Sequence, residues 1–313
     1  MKLATIVSNY LLLRRSTGMR FASSAKICHL FCRAMGDVDI LDVTPDAVSA
    51  FLLGEAGLTN TWHRKYGALK PLYRFAIGRG YATTSPLPAI IPRLLAFTPY
   101  IYSIDELRRI LAAVSILGTR STDVPPSSVR TLILLLYGTG LRIGEALSLR
   151  FADVDFQNAS LTIRDGKFYK DRLVPFGAQL LKELNAYARQ RSSWPCDLGQ
   201  NAAFFAMHNG RPLTKSPIEK IWRRLCDSAN VRTADGATEK PRLHDLRHSF
   251  AVHRLVAWYR EGADVQRLIY FLQVYLGHQE LAYTQRYLTM TPELLGQANH
   301  RFEGYFSAEV KHV

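Results

Sequence analysis

The sequence predicts a mainly α-helical protein in two units, the second of which carries a small β-hairpin region. Three features carry that expectation. Apolar residues recur at helical spacing through most of the chain, a proline-rich stretch interrupts them once, and one segment has short β-type runs on either side of an Asp-Gly turn. The 313 residues, 48% hydrophobic, provide for two ordinary cores and exclude a largely disordered chain.

In residues 1–85, Ile6, Tyr10 and Leu13 suggest one helical face, Ile27, Leu30, Phe31 and Ala34 a second, and Trp62, Tyr66, Leu69 and Tyr73 another. Thr44, Pro45 and Asp46 supply a cap, a first-turn proline and a dipole-matched acid for a further short helix to Leu53, making four. Pro71 lacks the N–H that a helix interior needs, so a kink or restart is expected there. Pro86, Pro88, Pro92 and Pro99 mark an extended linker, placed at 86–101. Ser103-Ile104-Asp105-Glu106 forms a capping box that opens the second unit, 102–313. A helix over 127–137 should stop at Gly138 and Gly140, with another opening near Leu141. The runs 160–164 and 172–175 have hairpin composition, helices resume after Gly177, and loops fall near Asn209-Gly210 and over 234–241.

Forty basic against 26 acidic residues give a net charge of +14 and a pI near 9.8. That balance favours a polyanionic partner, nucleic acid before membrane. The first 99 residues hold 12 basic and 5 acidic groups, the remaining 214 hold 28 and 21, so the first third is the more densely basic. Such a segment suits phosphate gripping without base reading. No apolar run approaches the roughly 20 residues that span a bilayer. Ser8 and Asn9 interrupt the first apolar stretch and Arg14 and Arg15 follow it, which fits an amphipathic helix and a cytoplasmic setting. Cysteines 28, 32, 196 and 226 are too few and scattered for a disulfide framework, and packed, reduced thiols are expected.

Three segments carry chemistry. Gly138-Thr139-Gly140-Leu141-Arg142-Ile143-Gly144-Glu145 places an arginine at a helix start with a carboxylate three residues on, either a fixed phosphate-binding fork or an ordinary surface pair. His244 and Arg247 share a helix face, where the cation should depress the imidazole's pKa; the pair reads equally as a phosphate site or a core contact. His248, about 100° round the helix from Arg247, is left structural. Leu276-Gly277-His278 precedes Tyr287 by nine residues, about half a turn out of phase on a straight helix, so joint action requires Gly277 to end one helix and a turn near 279–282 to precede the next. Tyr283 is the competing phenol. Lys167 and Lys170 by themselves read as a solvated turn.

In the order Arg142, hairpin lysine, His244-x-x-Arg247, Leu276-Gly277-His278 and Tyr287, the chain resembles the tyrosine recombinase (phage integrase) family over residues 102–301. Gly166-Lys167-Phe168-Tyr169-Lys170-Asp171-Arg172 is similar to the family's Gly-Lys-x-x-Lys-x-Arg turn, which maps the catalytic lysine to Lys167, with Lys170 the lesser candidate. Leu72-Tyr73-Arg74-Phe75 and Arg79-Gly80-Tyr81 resemble, more loosely, its helical core-binding domain. The resemblance implies a two-domain C-shaped clamp: a core-binding domain at 1–85, a linker, and a mixed α/β catalytic domain with a C-terminal helix. It implies cleavage and rejoining of double-stranded DNA through a 3′-phosphotyrosine on Tyr287, without ATP, metal or other cofactor. Arg142 and Arg247 would clamp the phosphate, His244 would transfer a proton with the tyrosine, His278 would hydrogen-bond the phosphate, Lys167 would protonate the leaving 5′ oxygen, and Glu145 would orient Arg142. A homotetramer on two DNA sites is implied, other recombinases being possible partners, in the bacterial cytoplasm at the nucleoid. Leu294, Leu295, Phe302 and Tyr305 could form a docking face on a neighbouring protomer or, equally, pack back onto their own domain.

Gly144 stands where a serine is frequent, and 262–277 is about four residues longer than in Xer-type relatives. Tyr287-Leu288-Thr289-Met290-Thr291-Pro292-Glu293-Leu294 resembles integrases of transposon-like mobile elements, which argues against a chromosomal dimer-resolution role. Two rivals have different requirements. A metal-dependent nuclease would need acids such as Asp153, Asp155 and Glu183, expected in a surface loop. A catalytically reduced accessory protein, acting with a partner recombinase, would have a broken constellation, whereas here every position is filled.

Overall fold

The computed structural model describes residues 1–18, 21–94, 98–116, 124–164, 171–194, 199–232 and 240–290, with 294 and 296. Two compact units divide the chain, Met1–Phe97 and Thr98–Val313.

The first unit holds helices α1 (Leu3–Ser16), α2 (Ala22–Met35), α3 (Pro45–Leu53) and α4 (Asn60–Gly78) around one apolar core. Thr44 caps α3 as expected, its hydroxyl accepting from the Ala47 N–H at 3.2 Å. On α1 and α2 the buried faces are rotated from those expected. Leu13, Leu30 and Ala34 are exposed, while Leu3, Val7, Leu11, Ala25 and Cys28 turn inward with Ile6, Tyr10 and Phe31. Cys28 and Cys32 therefore belong to packing, and burial pushes the Cys28 thiol up to about 12. The break expected at Pro71 does not occur: α4 runs through it. Leu69, Leu72, Tyr73 and Ala76 anchor both sides of the proline in the same core, and Gly67, whose carbonyl loses its partner, is exposed to water.

In the second unit the Ser103–Glu106 capping box forms in both directions, at 2.7 and 3.2 Å, and opens α5 (Ile104–Ile116). Helices α6 (Pro126–Thr139) and α7 (Ile143–Ser148) follow. Gly138 stays helical; Gly140, with φ of 62°, terminates α6. The antiparallel sheet β1 (Val154–Asp155), β2 (Ser160–Ile163) and β3 (Arg172–Pro175) has the order β1-β2-β3 and pairs Ile163 with Arg172. Then come α8 (Ala178–Arg191), α9 (Lys215–Ser228), α10 (Asp245–Arg260), α11 (Val265–Leu276) and α12 (Leu281–Gln285), continued by a 3-10 turn at Arg286–Thr289. The main core gathers Tyr102, Leu136, Leu161, Val174, Phe204 and Trp222, and a smaller one beside α10 and α11 gathers Phe250, Leu255, Leu272, Tyr287 and Leu294. Of the proposed docking face only Leu294 is described, and it is buried in its own unit; Leu295, Phe302 and Tyr305 lie outside the described residues. Among the described residues no helix is long and apolar enough to cross a membrane.

Candidate active site

Two helix ends build the site. Helices α6 and α11 both stop on a glycine in the left-handed region, Gly140 and Gly277, with φ of 62° and 67°. Their last carbonyls carry the partial negative charge of a helix C-terminus, and arginines take them up. Arg247, buried on the first turn of α10, donates to the Gly140 carbonyl at 2.6 Å and to the Leu276 carbonyl at 2.7 Å, tying both ends together. Arg142, the residue before α7, donates to the Gly277 carbonyl at 3.1 Å. Its guanidinium also meets Glu145 at 2.9 Å, and the Glu145 carboxylate accepts its backbone N–H at 3.0 Å. The expected Arg142–Glu145 pair is thus formed, and the same carboxylate takes up a backbone N–H at the start of α7.

Glu145 holds a second cation that the sequence reading passed over. Arg172, on β3, meets both carboxylate oxygens at 3.1 and 2.9 Å and donates to the Tyr275 carbonyl at 3.2 Å. Burial alone would raise the Glu145 pKa, but Arg172 and Arg142 hold it down to about 2. Arg172 directly follows the segment containing Lys167 and Lys170, both of which lie outside the described residues.

The required turn forms between Gly277 and α12, and Tyr287 falls on the 3-10 turn after α12. His278 and Tyr287 stack, with ring centroids 6.1 Å apart and planes 23° from parallel. Nδ1 of His278 pairs with the buried Thr284 hydroxyl at 2.8 Å, which fixes the ring. Tyr287 is 2% exposed, whereas Tyr283 is 50% exposed, although its ring lies 6.3 Å from that of His278. The phenol beside the cations is therefore Tyr287.

His248 corrects the sequence reading. Left as structural, it pairs through Nδ1 with the Tyr287 hydroxyl at 3.2 Å. The signal was its spacing from His244: residues four apart on a helix are neighbours, and the two rings are 5.1 Å apart. His244 itself precedes α10, its outer surface exposed.

The electrostatics follow from crowding cations around these rings. Withdrawal from water and then Arg142 bring Arg247 down to about 10. Desolvation, then the arginines, hold His278 down to about 3; desolvation, then His244, Arg242, Arg247 and Arg286, do the same for His248. Even with its exposed edge, His244 is lowered, by desolvation first and Arg247 second. Burial raises the Tyr287 pKa, and Arg247 opposes it. The cluster therefore presents neutral imidazoles and a protonated phenol to permanent guanidinium charge, an arrangement that an anion would complete.

The metal-nuclease acids do not converge. Asp153, expected in a surface loop, is buried and holds Arg164 at 2.6 Å; Asp155 caps the turn at Asn158, and Glu183 faces Arg130. No His, Cys, Asp or Glu grouping among the described residues would hold a metal ion.

Residues 103–293 match the phage integrase family. The chain is 33% identical over 303 residues to the integrase/recombinase y4rB of Sinorhizobium fredii, covering 95% of this chain and 96% of that one. It is 31% identical to tyrosine recombinase XerC of Oceanobacillus iheyensis, over 86% and 83% of the two chains. Its fold is that of the Tn1549 transposon integrase in complex with transposon right end DNA, with a TM-score of 0.70 at 16% identity over 97% of this chain and 99% of that one. A lambda integrase dimer bound to a core site follows at 0.69 and 17% identity, covering 93% and 78%. With the arginine, histidine and tyrosine motifs folded into one cluster, the chain belongs to the phage integrase family of tyrosine recombinases.

Proposed function

We propose that the chain cuts and rejoins DNA strands at specific sites through a 3′-phosphotyrosine on Tyr287, in the movement of a mobile element. The observation that carries this reading is the meeting, within one chain, of a buried phenol with Arg142, Arg247, His248 and His278. The Tyr287 oxygen attacks the phosphorus, the bond to the 5′ oxygen breaks, and that oxygen takes a proton, which we assign to Lys167. Arg142 and Arg247 stabilise the charge on the non-bridging oxygens, His278 donates to the phosphate, and His244 takes the proton that the Tyr287 phenol gives up. Glu145 holds Arg142 in place. A 5′ hydroxyl from another strand reverses the step, the bond energy having been kept in the protein–DNA link.

Residues 1–85 we assign to gripping DNA, 86–101 to a linker and 102–313 to catalysis. Arg64, Lys70 and Arg74 lie exposed on α4, and Lys70 and Arg74 line a groove of about 330 Å³ with Tyr66, Tyr73 and Leu87. Assembly as a tetramer on two duplex sites, in the cytoplasm at the nucleoid, completes the reading; a lambda integrase tetramer bound to a Holliday junction shares the fold.

The test is a nicked suicide duplex carrying the junction sequence, recovered by sequencing DNA mobilised in cells that express the protein. Wild type should accumulate a covalent adduct, and Tyr287→Phe should bind without one. An adduct persisting in Tyr287→Phe contradicts the assignment.

A further inference from the structure

We propose that His248 is a positioning residue for the nucleophile: its Nδ1 accepts a hydrogen bond from the Tyr287 hydroxyl and holds the phenolic oxygen at the guanidinium cluster before DNA arrives. The inference rests on Tyr287 being the nucleophile and assigns a role to a residue outside the six first singled out as catalytic.

The geometry gives the phenol two separate restraints. His278 stacks on its ring, and Thr284 fixes His278 in turn, so the ring plane is set from the α11–α12 turn. The oxygen is set from α10, by the 3.2 Å contact with His248. At 2% exposure Tyr287 has little water to replace that partner, and a phenol free to rotate would have no fixed line of attack.

Chemistry decides which group donates. The Tyr287 phenol stays protonated with the Arg247 charge beside it; a guanidinium has no lone pair to accept, so the O–H is left to donate to the imidazole. His248 faces Arg242, His244 and Arg247 from its own helix and the residues before it, Arg286 from the 3-10 turn, and His278 from the α11–α12 turn. With its pKa near 3, this imidazole is too weak a base to carry the proton away at neutral pH. It can accept a hydrogen bond, which is a positioning role.

The test compares three variants of the full chain on the suicide duplex, because an asparagine amide reproduces Nδ1 and a glutamine amide reproduces Nε2. His248→Leu and His248→Gln should slow single-turnover adduct formation by about tenfold, and His248→Asn should recover most of the rate. A structural readout accompanies it. In protein labelled with 13Cζ-tyrosine, the resonance missing from Tyr287→Phe should shift in His248→Leu and return toward its wild-type position in His248→Asn. Equal rates and an unmoved resonance in all three variants overturn the positioning role while leaving the nucleophile intact. An adduct in Tyr287→Phe overturns the nucleophile itself. If His248→Leu fails to fold, the asparagine and glutamine pair still decides, and equal behaviour of those two contradicts the Nδ1 contact.

Discussion

The two glycine-ended helices at the site look alike and are built for different purposes. A Cβ on Gly140 would stand 2.5 Å from Phe250 and 2.8 Å from Leu276, inside packed apolar side chains. A Cβ on Gly277 would stand 3.1 Å from the Arg172 guanidinium, the end of a flexible side chain. Gly140 thus joins the helix end to the core, whereas Gly277 leaves room for the cations around it. Arg247 reads both ends at once, and the comparison teaches that the arginine–histidine–tyrosine cluster is held by backbone carbonyls as much as by side chains.

Removing Arg247 should break both ends together. Arg247→Gln leaves buried carbonyls short of donors, and a loss of about 3–5 kcal/mol in urea unfolding is expected, with adduct formation down at least about a hundredfold. Gly140→Ala combines left-handed backbone strain with overpacking and should cost about 2–4 kcal/mol. Gly277→Ala carries mainly the backbone strain, about 1–2 kcal/mol, yet should slow cleavage more than its stability loss explains, because Arg172 must move. If Gly277→Ala is the more destabilising of the two, the contrast fails.

Acid should separate the cluster from the rest of the molecule by a smaller amount. His248 and His278 have folded pKa values below the unfolded 6.5, so the unfolded chain binds more protons between those limits. Their stabilising contribution is present above pH 6.5 and is lost as pH falls toward about 3; that of Glu145 is lost from 4.5 toward 2. The melting temperature of the full chain should therefore decline below pH 6.5, and inorganic phosphate should offset part of the decline. A flat profile from pH 7 to 5 contradicts buried neutral imidazoles.

Much of this was legible in the sequence because it is local. The Ser103 capping box, the Thr44 cap, the hairpin strands and the turn before Tyr287 each depend on a few neighbouring residues. The misreadings depend on contacts between distant segments. The inward faces of α1 and α2 are chosen by what they pack against, Pro71 is tolerated because a shared core grips both sides, and the buried Asp153 carboxylate is met by the Arg164 charge. His248 was one helical turn from His244, but the phenol it holds comes from 39 residues away. Arg172 was visible as the last letter of the hairpin motif, without any indication that it would share Glu145 with Arg142.

The most direct measurement of the central claim is the identity of the residue that carries DNA. Wild-type protein trapped on the suicide duplex, digested with nuclease and protease, should yield one nucleotide-bearing peptide, with the modification on Tyr287. A nucleotide on Tyr283, or on any residue outside the cluster of Arg142, Arg247 and His278, would contradict the account.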